Sequence, residues 1–223
     1  MRFFNNKTKE YKWNEELAYC VGLLASDGNL SKDGRHIAFV SKDKDLVEKF
    51  KNTLDLTNKI SFKASGYNKN GKYYYIQLGN RNFYLWLNRI GLTSTKSKTI
   101  GPLLISKKYF FGFLRGLLDG DGCVTSFKHA ESKYPQIRIK FASGSKKFLI
   151  WLDSKVDSYL GIKGRIEKIP RLWGLVYYKG SSLKLLREIY RKPKVFSERK
   201  YLRAKQLLLQ NKGGWCNWQT REA

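Results

Sequence analysis

The chain has 223 residues and a mass of 26.0 kDa, enough for one large domain or two half-size units sharing a core. Its 44 Lys and Arg against 18 Asp and Glu give a net charge of +26. That excess points to a polyanion, nucleic acid ahead of an anionic membrane surface, because no basic helix of the membrane-surface kind stands out. No apolar run approaches the roughly 18 residues of a membrane span. The start, MRFFNNKTKEYKW, carries no apolar signal core. Three cysteines without CxxC spacing supply neither a zinc site nor a disulfide framework. The expectation is a protein of a reducing compartment, prokaryotic cytoplasm or an organellar matrix, and not a secreted one.

In chain order, residues 14–26 predict a helix with Leu17, Val21 and Leu24 on one face, running into LLASDGNL. Asp33-Gly34 marks a hairpin, and "KDLVEKFKNTL" sets Leu46, Val47, Phe50 and Leu54 at helical spacing. A second hairpin follows, turning at Asn70-Gly71, then a helix in "NRNFYLWLNRIGL" closed near Gly91. "TSTKSKTIGPLLIS" (93–106) reads as a polar linker. A helix over 107–120, with Phe110, Leu114, Leu117 and Leu118 on one face, then runs into LLDGDG. After it come a hairpin of "CVTSFK" and "PQIRIKFAS", the helix "SKKFLIWLDSKVDSYL", and a hairpin of "GRIEKI" and "WGLVYYKG". "SSLKLLREIY" is the next helix, and "SERKYLRAKQLLLQ" (197–210) is an extra basic amphipathic one.

The order repeats, and so do details. "IAFVS" (37–41) matches "IKFAS" (139–143), and "LNRI" (87–90) matches "LREI" (186–189). An internal duplication predicts an α+β fold of two pseudo-symmetric αββαββα-type halves, each with one antiparallel sheet. The divisions are 1–92, a linker at 93–106, 107–210, and a tail at 211–223 without a counterpart.

Gly22 and Gly116 occupy matching places in the two repeated helices. A mid-helix glycine costs about 1 kcal/mol against alanine and is tolerated where another backbone comes very close. The economical reading packs these helices on each other at those glycines, as the seam between halves. Their C-terminal ends then lie together, bringing Asp27 and Asp121 side by side. Two carboxylates at two helix C-termini repel each other and the helix dipoles. A divalent cation resolves this, and a few hard oxygen ligands with waters left over suit Mg²⁺, with Mn²⁺ a substitute.

The stretches "CVGLLASDG" (20–28) and "LRGLLDGDG" (114–122) resemble the two motifs of single-chain LAGLIDADG homing endonucleases. The resemblance covers about residues 14–210. The second motif departs mainly at Arg115 and Gly120. The first departs at Cys20, Val21 and Ala25, the last standing where the motif has its earlier aspartate. The resemblance implies a site-specific double-strand DNA endonuclease acting as a monomer on a long target site, leaving short 3′ overhangs. It implies metal binding by Asp27 and Asp121, with Ser26 and Gly120 beside them. A basic residue near each metal would be Lys96 in the first half and Arg199 or Lys200 in the second. An RNA-binding intron maturase of the same fold and a catalytically inactive DNA-binding regulator are the alternatives.

The resemblance also implies that each sheet lays one face on DNA, and alternation then nominates the contacts. In "QIRIKFAS", Ile137, Ile139 and Phe141 face inward, leaving Arg138 and Lys140 outward. His36, Ala38 and Val40 are outward in the first half. Ile60, Phe62 and Ala64 are expected inward, leaving Lys59, Ser61 and Lys63 outward. Tyr75, Gln77, Arg165 and Lys168 complete the set.

Overall fold

A computed structural model describes residues 11–64, 72–128 and 136–211. The turn at Asn70-Gly71, His129 and the tail beyond residue 211 lie outside the described residues. The first repeat consists of α1 (Glu15–Asp27), β1 (Gly28–Leu30), β2 (His36–Ser41), α2 (Lys44–Thr53), β3 (Ser61–Ala64), β4 (Lys72–Gly79) and α3 (Arg81–Arg89). A short helix, α4 (Lys96–Thr99), leads to the second repeat. That repeat consists of α5 (Phe110–Gly120), β5 (Cys123–Phe127), β6 (Gln136–Ser143), α6 (Lys146–Leu160), β7 (Arg165–Ile169), β8 (Leu172–Tyr178) and α7 (Lys179–Ile189). The basic helix α8 (Glu198–Gln210) follows.

Each repeat folds a four-stranded antiparallel sheet, in the orders β1-β2-β4-β3 and β5-β6-β8-β7. The orders are the same, so the sequence repeat is also a repeat in space. Helices pack on one face of each sheet, α2 on β2 and β4, α6 on β6 and β8. Ile37, Phe39 and Ile76 face the helices in the first sheet; Ile137, Ile139 and Phe141 do so in the second.

At the centre α1 lies against α5. Asn14 caps α1 by accepting from the Leu17 amide at 2.7 Å, and every residue from Leu17 to Leu24 is buried. A helix apolar all round belongs in a core rather than on a surface. A methyl on Gly22 would stand 2.1 Å from the Phe113 carbonyl oxygen, and one on Gly116 would stand 2.0 Å from that of Tyr19. The two backbones touch here, and only hydrogen fits between them.

The linker at 93–106 contains α4 and buries Ile100, Leu103 and Ile105. The apolar members of "TIGPLLIS" lack a clean period, which hides their packing. Phe62 shares the inner parity of Tyr74, its partner on β4, yet is 67% exposed. It stands on an edge strand, outside the cover that α2 gives β2 and β4.

Candidate active site

The close crossing of α1 and α5 brings their C-terminal ends together. Asp27 is the last residue of α1, and Asp121 caps α5. Their carboxyl groups hydrogen-bond to each other, and Asp27 is pushed up to about 7. Burial is the first cause, and the charge of Asp121 and the hydrogen bond to it add to it. Lys96 and Lys200 pull the other way. Two carboxyls held this close concentrate negative charge at one place.

Two lysines hold the helix ends. The Lys96 ammonium, from α4, donates to the carbonyls of Ala25 and Ser26, each at 3.0 Å. The Lys200 ammonium, from α8, donates to the carbonyls of Leu118, Gly120 and Gly122 at 2.6, 2.9 and 2.8 Å. These carbonyls belong to the helix ends, where intrahelical partners run out. A cation there also answers the helix dipole. Burial moves both lysines below their ordinary value, opposed by the aspartates. Of the two residues named for the second half, Lys200 is therefore the counterpart of Lys96. Arg199 is exposed and lines a cavity beside the aspartates.

Ser26 and Gly120 present backbone carbonyls to these lysines, and a carbonyl retains a second lone pair. The Ser26 hydroxyl donates to Leu23 O at 2.9 Å. It fills the space where a methyl on Gly120 would come within 2.0 Å. A side chain at residue 26 is thus matched by its absence at residue 120.

Two residues of α5 that the sequence left without a structural role prove central. Asp119, the counterpart of Ala25, is buried and accepts three bonds. They come from Tyr19 Oη at 2.9 Å, Tyr190 Oη at 2.7 Å and the Ser197 amide at 2.6 Å. Arg115 is 2% exposed, bonds the carbonyls of Val195 and Ile189 at 2.8 Å each, and pairs with Glu15. Their signal was visible: two charged residues at i, i+4 inside an apolar helix must have buried partners.

The outer face of each sheet, turned away from the helices, carries most of the nominated contacts. Opposed residues share a face. Tyr75 pairs with Val40 and Ser61, Gln77 pairs with Ala38, and His36 pairs with Gly79, all in the outer row. His36 is clasped by Asp33, whose carboxylate is held below its usual range by hydrogen bonds from His36 and Arg35. Lys59 is exposed just before β3. Lys63 stands opposite Tyr73 in the backbone register. In the second sheet Arg138 donates to Thr125 Oγ1 at 3.3 Å, and Lys140 lies 3.9 Å from Glu167. Arg165 stands opposite Val176, itself opposite Lys140, so it belongs to the same row.

Lys168 does not. It stands opposite Trp173, on the parity of Leu175 and Tyr177, and its ammonium lies 4.6 Å from the Trp173 ring centroid. Three residues along a strand reverse the face, so Arg165 and Lys168 point opposite ways.

Comparison with known proteins places this geometry. A family model described as a LAGLIDADG-like domain matches residues 14–91 and 109–191. The uncharacterized protein MJ0314 of Methanocaldococcus jannaschii is 26% identical over 142 residues, covering 60% of this chain and 51% of that protein. Full-length DUF199/WhiA from Thermatoga maritima superposes with a TM-score of 0.58 at 17% identity, covering 92% of this chain and 63% of that one. The LAGLIDADG homing endonuclease I-LtrWI, solved bound to target DNA, superposes with a TM-score of 0.55 at 13% identity, covering 89% and 91%. The chain spans about half the length of the archaeal relative and under two thirds of WhiA.

Proposed function

The chain belongs to the LAGLIDADG-like domain family, and from that premise we propose that it is a Mg²⁺-dependent, site-specific endonuclease of double-stranded DNA, acting as a monomer and leaving short 3′ overhangs. The fold alone does not carry this, since WhiA shares it. The observation that carries it is the aspartate pair, two carboxyls forced together at two helix ends with a lysine on each end. A protein that only binds DNA gains nothing from carboxylates turned toward phosphate. The DNA-bound neighbour and the net charge of +26 support a duplex as the partner.

The donor set fits the metal. Among the described residues no three His, Cys, Asp or Glu side chains cluster, so the site offers two carboxylates and nearby carbonyls. Few protein oxygens and room for water suit Mg²⁺. Asp27 and Asp121 would hold it, with the carbonyls of Ser26 and Gly120 in the same set. Bound there, it supplies the positive charge that acidifies a water and neutralises the leaving oxygen.

The chain's own groups do the rest. The seam fixes both carboxylates on rigid helix ends. Lys96 and Lys200 hold those ends and set two positive charges beside the reacting phosphates. Arg138, Lys140 and Arg165 on one sheet, and His36, Tyr75 and Gln77 on the other, orient the duplex over the seam. Internal duplication provides one strand-cutting position per half. The test is selection of cleaved duplexes from a randomised library with Mg²⁺. Asp121→Asn should bind the recovered site and leave it uncut. A variant that cuts normally would place the chemistry elsewhere, and binding to a structured RNA in preference to DNA would favour the maturase.

A further inference from the structure

The outer rows of the two sheets differ at one matched place. Residues 37–41 correspond to 139–143, so His36 is the counterpart of Arg138. His36 stands opposite Gly79 on β4, and Arg138 stands opposite Tyr178 on β8. A guanidinium can only donate hydrogen bonds. Arg138 donates through Nε to Thr125 Oγ1 at 3.3 Å, and its two terminal nitrogens match O6 and N7 of guanine. An imidazole nitrogen donates or accepts according to where the ring carries its hydrogen.

The turn between β1 and β2 decides this for His36. Asp33 Oδ1 accepts from the amides of Arg35 and His36, each at 3.0 Å, and Oδ2 meets His36 Nδ1. Hydrogen bonds from the His36 amide, the His36 ring and the Arg35 amide hold the Asp33 carboxylate below its usual range. A carboxylate only accepts, so Nδ1 must carry the hydrogen between them. In the neutral ring Nε2 is then an acceptor. Among the described residues only Asp33 bonds the ring. A methyl on Gly79 would stand 3.4 Å from Nε2 and Cδ2, so the ring lies over the gap that this glycine leaves. Gly79 and Gln77, the residues that β4 brings to this side, are uncharged. The other charges nearby are Lys32 and Arg35 on the turn, and Arg81 after Asn80, whose amide donates to the Arg35 carbonyl.

In the major groove, cytosine N4 and adenine N6 offer hydrogen, whereas guanine offers the acceptors O6 and N7. We propose, on the reading above that the partner is duplex DNA, that Asp33 is a positioning residue that fixes His36 as an acceptor. The first half of the target then takes cytosine or adenine at the place where the second half, under Arg138, takes guanine. A pseudo-symmetric protein thus reads an asymmetric pair of positions, and a residue that touches no base sets the difference.

The full-length chain, given randomised duplexes without divalent metal and sequenced for the bound fraction at about pH 8 and about pH 5.5, tests this. His36→Ala and Arg138→Ala locate the two positions as those whose preference they erase. At the higher pH the wild type should favour cytosine or adenine over guanine by about tenfold at the first position, and guanine at the second. Asp33→Asn keeps an oxygen for the two backbone amides and turns an amide nitrogen, a donor, toward Nδ1. The ring must then accept there and carry its hydrogen on Nε2, so the first position should move to guanine with no change of pH. Acidification puts hydrogen on both ring nitrogens and should move the wild type the same way, while the second position keeps its base. These are ratios at one position, so a general effect of pH or charge on affinity cancels. Guanine favoured at the first position by the wild type at the higher pH, or no inversion in Asp33→Asn, overturns the proposal and leaves the endonuclease standing. Duplexes bound with the expected preference but left uncut with Mg²⁺ overturn the endonuclease alone, and a chain that binds no duplex overturns both.

Discussion

Asp27→Asn should stabilise the metal-free protein, and the gain should depend on pH. In the folded chain Asp27 titrates near 7, against an ordinary value of 3.8. For an acid whose folded value is raised, the folded state holds the proton more tightly than the unfolded one. The wild type therefore pays nothing below about pH 4, loses stability as pH rises to 7, and carries the full penalty above it. Three decades of proton affinity, at about 1.4 kcal/mol each, set a ceiling near 4 kcal/mol. Water at the cleft screens the charge and reduces this to about 1–2 kcal/mol. For a chain of this size that corresponds to a rise in Tm of about 2–8 °C. The assay is thermal unfolding of both proteins in EDTA from pH 4.5 to 8.5, then with Mg²⁺ at pH 8. The variant should gain only above about pH 5, and Mg²⁺ should raise the wild type more than the variant. The overall field cannot mimic this, because removing a negative charge from a chain of net charge +26 increases its self-repulsion. A pH-independent change, or a variant less stable at pH 8 without metal, would refute the reasoning.

Three further outcomes follow from the contacts. Gly116→Ala puts a methyl 2.0 Å from the Tyr19 carbonyl oxygen, so the seam must open. Denaturant unfolding should show a loss of about 1–3 kcal/mol or more, and single-turnover cleavage should fall even where the protein is fully folded. Lys140→Glu sets a second carboxylate against Glu167, 3.9 Å from the present ammonium. Binding measured by anisotropy across KCl concentrations should weaken, with a salt slope shallower by about one. Arg115→Met strands Glu15 and the carbonyls of Ile189 and Val195. Leaving two carbonyls and a partly exposed carboxylate without their donor should cost about 1–3 kcal/mol, and hydrogen exchange should rise first over residues 189–200.

The sequence made the architecture legible because its signals are local. Alternation set the strands, Asp33-Gly34 set the first hairpin, and Gly22 with Gly116 marked where helices meet. It was less informative wherever the answer depends on how a distant element docks. Arg199 and Lys200 are neighbours on α8, separated by about 100° around the helix. Which of them caps α5 is decided by the hold of Asp119 on Ser197, from 78 residues away. Lys168 was nominated together with Arg165, though three residues along one strand put them on opposite faces. Phe62 follows the inner parity, but no local pattern reports that an edge strand outruns its cover.

The unequal motifs have a physical cause in how each lysine is delivered. Lys96 sits on α4, in a stretch anchored to the fold on both sides, by α3 before it and α5 after it. Chain connectivity, with Ile100 and Leu103 buried, confines it. Lys200 sits on α8, beyond the repeat, joined to it among the described residues through 190–197 alone. Holding an ammonium on three carbonyls from such a tether costs more conformational entropy, of the order of 1–2 kcal/mol for each backbone residue fixed. The second motif carries the groups that offset this. Arg115 fastens the strap at Ile189 and Val195, Asp119 serves the amide that begins α8, and Arg203 ties the helix to Ser126 at 2.7 Å. In the first motif the matching positions are Val21 and Ala25, whose side chains have no polar group to make such bonds. The aspartate retained at residue 119 and lost at residue 25 thus belongs to the delivery of a lysine, while the aspartates present in both halves belong to the site itself.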